Sequence, residues 1–154
     1  MIYELERLSV RTATWIAAQC VRHFCSKSGI DDPRLFEYID FLEELPLAGD
    51  VPAWDQSGSA LEVSGLGDPL PAVLQDIPNL LELVDASREV SAYQIFGRFQ
   101  PAKMAEFLRS ALALSDFEIA VSVNMEDVLR HDPGRDGWGQ PVEVAIRDSW
   151  ARLA

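Results

Sequence analysis

The stretch Phe117-Glu-Ile-Ala-Val-Ser-Val123 decides between an all-α and an α+β fold. Its apolar residues alternate, and its β-branched side chains suit a strand. Three features argue for a helix instead. Ser115 and Glu118 stand three apart as a capping box; Phe117, Val121, Met125 and Val128 recur at intervals of 4, 4 and 3; and Arg130 sits where a cation meets the C-terminal end of a helix dipole. A lone strand also needs a partner, and only Leu61–Ser64 offers one. The reading is therefore a helix closed by Asp132-Pro133-Gly134, with a short strand at 117–123 as the alternative.

Helical spacing extends outward in both directions. Toward the C-terminus, a glycine-rich loop holding Trp138 leads to Pro141 and a last helix with Val142, Ala145, Ile146, Trp150 and Leu153 on one face. Toward the N-terminus, Gln100-Pro101 opens a helix to about Leu114 that buries Met104, Phe107, Leu108, Ala111 and Leu112. Before it, Ser87–Phe96 reads as a helix stopped by Gly97. Val73 to Val84 is also helical, divided by Pro78 and restarted by the capping pair Asn79 and Glu82.

Ser9 caps a first helix from Val10 to Ser28 with Gly29 as its stop; Ala13, Ala17, Cys20 and Phe24 form its apolar stripe, and Arg11, Arg22 and Lys27 belong mainly to the polar face. Asp32 and Pro33 start a second helix that ends by Leu45, because Pro46 disfavours helical geometry in the residue before it. Periodicity fails from Leu47 to Pro71, where glycines and prolines cluster. The whole is expected to be a single helical domain over 1–154, an all-α bundle of about six helices with a long irregular loop near 47–71.

The 154 residues include 25 Asp or Glu and 13 Lys or Arg, for a formal net charge of -12, and 48% are hydrophobic. That composition belongs to globular chains rather than disordered ones, and the charge repels nucleic acid. Met1-Ile-Tyr-Glu-Leu-Glu places acids where a secretory signal has a basic segment, and no run approaches the ~18 apolar residues of a membrane span. The expectation is a cytoplasmic protein with no membrane partner. Cys20 and Cys25, five apart on one helix, face about 140–150° away from each other and read as buried reduced thiols.

The charge is uneven. From Leu35 to Ser87 there are eleven acids and no Lys or Arg. Glu37, Asp40 and Glu44 recur at 3 and 4, forming one ridge on the second helix, opposite Leu35, Ile39 and Leu42. The ridge leads into a loop carrying Asp50, Trp54 and Asp55. A tryptophan among acids in a polar loop suits an interface anchor, and the acids suit steering of a basic partner. Against this stand two plainer readings: acids that only keep the surface solvated, and a Trp54 folded back over the core.

No catalytic or cofactor signature is assembled. His23 and His131 lack the convergent ligands of a metal site, Gly65-Leu66-Gly67-Asp68 lacks the strand, third glycine and lysine of a phosphate loop, and Ser57 is not at a nucleophile elbow. Neither a metal nor a cofactor is expected. The run Arg11-Thr-Ala-Thr-Trp-Ile-Ala-Ala-Gln-Cys-Val-Arg-His-Phe24, followed by Asp32-Pro-Arg34 and an acidic second helix, resembles the opening helices of small helical immunity proteins of bacterial toxin systems. The likeness spans the N-terminal ~45 residues and carries over no functional residue. It implies a non-catalytic protein that neutralises a basic toxin by stoichiometric blocking; the acidic face read from the charge pattern, Glu37, Asp40, Glu44, Asp50, Trp54 and Asp55, is where such a partner is expected to bind, with the chain a monomer or weak dimer. An uncharacterised enzyme with a carboxylate-based site and a helical assembly subunit are the competing classes.

Overall fold

A computed structural model of the chain describes residues 4–132 and 137–152. Its central element is helix α1, Val10–Ser28, which begins where the Ser9 side chain accepts the Thr12 backbone N–H and ends where Gly29 turns left-handed at φ 67°. Only glycine enters that conformation without a Cβ penalty. Every residue from Val10 to Ala18 is buried, so the first half of α1 is a core helix rather than one side of a bundle. Ala13, Ala17, Ala18 and Cys20 keep its girth small, and α2, α4 and α5 all pack on it.

This burial corrects the placing of Arg11 on a polar face. The side chain is 5% exposed. Its guanidinium donates to the carbonyls of Leu45 at 2.7 Å, Ala48 at 2.5 Å and Gly139 at 3.3 Å, tying the end of one helix and the Trp138 loop to the start of α1. The free N–H groups of that start are met by the same loop region: Ser9 N–H donates to Asp132 Oδ2 at 3.0 Å and Val10 N–H to Gly137 O at 2.9 Å.

Helix α2, Pro33–Glu44, starts as the sequence indicates, with Asp32 accepting the backbone N–H groups of Arg34 and Leu35 and Pro33 in the first turn. A single 3₁₀ turn, Leu45–Leu47, absorbs Pro46. The expected irregular loop near 47–71 then proves to contain α3, Val51–Gly58, capped by Asp50, which accepts the Ala53 N–H. The two expected segments around Ser87 are one helix, α4, Leu80–Ile95, and Asn79 makes no side-chain cap but adopts a left-handed turn at φ 68°. α5, Pro101–Ser115, returns antiparallel along α4 after the short connection 96–100.

The deciding stretch is helical but broken. Ser115 does not cap a new helix; it closes α5, donating to Ala111 O at 2.7 Å, and Asp116 turns left-handed at φ 57°. Two short helices follow, α6, Ile119–Ser122, and α7, Met125–Arg130. The β-propensity of the stretch survives as one antiparallel bridge between Val123 and Ala151, not with Leu61–Ser64. Because that bridge draws the C-terminal segment straight, the expected long last helix shrinks to α8, Val144–Asp148, none of whose residues is buried. Pro133, Gly134 and Leu153 lie outside the described residues. Among the described residues the fold is thus all-α, with eight α-helices, no sheet and no helix long and apolar enough to cross a membrane.

Gly58 is required by packing. A Cβ there would stand 2.5 Å from the Phe41 ring. That ring is stacked on Trp54 at a centroid separation of 4.3 Å, so it has little room to retreat. Alanine in place of a helical glycine ordinarily stabilises by ~1 kcal/mol. Here Gly58→Ala is expected to destabilise by about 1–3 kcal/mol in urea unfolding through overpacking. Gly49→Ala, whose Cβ meets nothing within 4 Å, should stay within about 0.5 kcal/mol of the parent.

Candidate functional site

The α2 ridge forms as its spacing requires, with Glu37, Asp40 and Glu44 all exposed. Bases distant in sequence return to it. Arg22 on α1 reaches Asp40 at 3.3 Å and Glu43 at 2.6 Å, and Arg147 on α8 reaches Glu44 at 3.6 Å. Glu37 has no ion pair among the described residues. Asp50 is exposed, but its carboxylate is occupied as the cap of α3.

Trp54 and Asp55 are not on that surface together. Trp54 is 6% exposed, stacks on Phe41 and donates its indole N–H to Phe41 O at 2.8 Å. Of the two readings its sequence allowed, it takes the core one, because the amphipathic turn of α3 rolls it inward. The exposed-anchor reading of Trp54 is corrected accordingly. Asp55 is ion-paired to Arg88 and lends its charge to a structural contact.

Arg88 explains why a second acidic face escaped the sequence. It is the base that ends the acid-only run, yet it is 2% exposed, with Nη1 donating to Ser91 Oγ at 2.9 Å and its guanidinium lying 5.0 Å from the Phe41 ring centroid and 5.2 Å from that of Trp54. Turned inward, it makes no ion pair with the acids on the outer face of α4. Glu89 therefore continues the acidic series, and Glu82, Asp85 and Glu89 recur along α4 at 3 and 4, the same spacing as the α2 ridge. None of the three has an ion pair among the described residues. The spacing was present in the sequence; dividing α4 at Ser87 hid it.

These carboxylates form one wall of an open groove of about 620 Å³ between α4 and α5. The facing wall on α5 is uncharged, built from Phe107, Ser110, Ala113 and Leu114. At the hairpin end Tyr93 and Phe107 meet at 5.6 Å between centroids, and beyond them Phe96, 82% exposed, borders a smaller hollow of about 330 Å³ that Glu89 also lines. Asp85 Oδ1 is buried without a hydrogen-bond partner.

Burial raises the Asp85 carboxyl above its ordinary value, with repulsion from Glu82 and Asp68 adding to it and the Gly67 backbone N–H opposing. Burial likewise raises Glu89, against the attraction of Arg88 and with a smaller repulsion from Asp85. Elsewhere, Cys20 and Cys25 are free and buried, and burial pushes their thiols to about 12 and about 11, which makes them poor nucleophiles at neutral pH. His23 packs edge-on against Phe117 at 5.8 Å. Among the described residues no group of three or more His, Cys, Asp or Glu is placed to hold a metal ion.

No protein-family model matches the chain, and no match was found among curated proteins or solved structures.

A carboxyl whose value is raised by folding binds its proton more tightly in the folded state, so its ionised form weakens the fold above that raised value and the penalty disappears as pH falls through it. Asp85→Asn and Glu89→Gln are therefore expected to raise the thermal midpoint at pH ~7.5, with the gain over the parent shrinking as pH falls through the raised values and gone by pH ~3. Thermal unfolding followed by circular dichroism at the two pH values checks this; a lower midpoint than the parent at neutral pH would show that these carboxylates stabilise the fold instead.

Proposed function

We propose that the chain is a non-catalytic acidic binding protein that captures a basic protein partner. The observation that carries this reading is the uncompensated ridge Glu82, Asp85 and Glu89 on α4, with Glu37 and the partly paired Asp40 and Glu44 extending the acidic surface on α2. Unpaired carboxylates on one helix repel one another, a cost that solvation of the surface does not demand. They create a negative field that accelerates encounter with a cationic surface and discriminates against anionic ones.

In its most concrete form the partner is a toxin domain whose active cleft is basic because its own substrate is anionic. Neutralisation is then steric and stoichiometric. The resemblance of the first ~45 residues to immunity proteins of bacterial toxin systems supports this form, and the buried, hydrogen-bonded state of Arg11 gives that segment a structural use as well.

Coexpression with a basic protein encoded beside this chain tests the reading. Expected are rescue of growth and a complex whose association slows steeply as salt rises from about 50 to about 500 mM. Asp40→Lys with Glu44→Lys should slow association several-fold while leaving dissociation within about two-fold. Binding insensitive to salt and to every charge reversal on α2 and α4 would reduce the acidic surface to a solvating role.

A further inference from the structure

Resting on the capture of a basic partner, we infer that the α4–α5 groove is the docking site for one cationic amphipathic helix of that partner. The shape comes first. Two antiparallel helices leave a furrow that a third helix fills; its lining runs from Glu82 to Glu89 on α4, about 10 Å or two turns, and the smaller hollow beside Tyr93 and Phe96 continues it toward the hairpin. Its length and openness suit a helix better than a compact small molecule.

Its chemistry selects the occupant. One wall carries Glu82, Asp85 and Glu89 with no ion pair among the described residues, and the other presents Phe107, Ala113 and Leu114. A helix with Lys or Arg along one edge and Leu or Phe along its face satisfies both walls at once. Past the last acid the α4 side itself turns aromatic at Tyr93 and the 82% exposed Phe96, so the occupant's basic residues belong beside Glu82 to Glu89 and its largest apolar residue beside Phe96. The same charge disfavours the competing occupants. A second copy of this chain carries -12 of like sign, and nucleic acid or an anionic lipid surface is repelled in the same way.

The inference is tested with the full chain and a labelled helical peptide of about 18 residues, Leu on one face and Lys on the adjoining edge, against a scrambled peptide of equal charge. Fluorescence anisotropy is expected to show tighter binding of the amphipathic peptide by about ten-fold or more. Glu82→Gln with Asp85→Asn and Glu89→Gln should weaken it by at least about ten-fold. Ala113→Trp, which fills the furrow from an exposed position and leaves the core alone, should weaken it comparably with unchanged helicity by circular dichroism. If both peptides bind equally and Ala113→Trp has no effect while the triple neutralisation abolishes binding, the groove is not the site, although acidic capture stands. If only Asp40→Lys with Glu44→Lys weakens binding, the site lies on α2 and the inference fails. Association of two copies that Ala113→Trp abolishes would assign the groove to self-assembly and overturn it.

Discussion

One buried guanidinium organises half of this fold. Arg88 is 2% exposed, yet it is ion-paired to Asp55 on α3, bonded to Ser91 on its own helix and placed against the stacked rings of Phe41 and Trp54 from α2 and α3. A Cβ on Gly65 would come 2.7 Å from Arg88 Cβ, so the connecting segment between α3 and α4 also passes directly over it. An ammonium could not replace it: only the flat, delocalised guanidinium combines ring stacking with several donors in one plane. A buried cation without its carboxylate costs several kcal/mol, which makes α3 and its Asp55 a condition of the site rather than an ornament of the loop. Tyr38 strengthens the same seam by donating to Val84 O at 2.7 Å and bonding to Ser87.

Local signals in the sequence were legible wherever a backbone end was capped by a nearby side chain. Ser9, Gly29 and the pair Asp32-Pro33 act as their types suggest because capping depends on the neighbouring residues alone. The failures share the opposite property. α3 has too few apolar residues to show a period, although Asp50 with Pro52 repeats the kind of start seen at Asp32 with Pro33. α8 is short because Ala151 is drawn into a bridge with Val123, and Ser115 ends a helix instead of beginning one because its hydroxyl finds Ala111 O. Arg11 reads as a polar-face residue and the burial of Arg88 leaves no sign in the sequence, since nothing local reveals which carbonyls or carboxylates will surround them after folding.

The candidate site was half legible for the same reason. Counting along the chain assigns the charge excess to 35–87, but folding redistributes it. Arg22, Arg34 and Arg147 come from outside that segment to meet Asp40, Glu43, Glu62 and Glu44. Arg88 leaves the surface altogether. The α2 ridge is thereby softened and the α4 ridge exposed, a reversal that spacing alone shows only when the helix is read unbroken from Leu80 to Ile95.

Two separate penalties coincide in the α4–α5 groove. On one wall, burial disfavours the charged forms of Asp85 and Glu89, and Asp85 Oδ1 is buried without a partner. On the other, Phe107 and Leu114 are only partly covered, and Phe96 at the hairpin stands almost free. The charge defect alone has a simple remedy within the chain, a base four residues along α4; none is present, and Arg88, the one base on α4, is spent on the interior. An arrangement that leaves apolar area and unpaired charge side by side within one furrow is the feature on which the proposed cationic, amphipathic occupant rests. The filled interior around Arg88 and the unpaired acids outside it are therefore two consequences of the same residue's position.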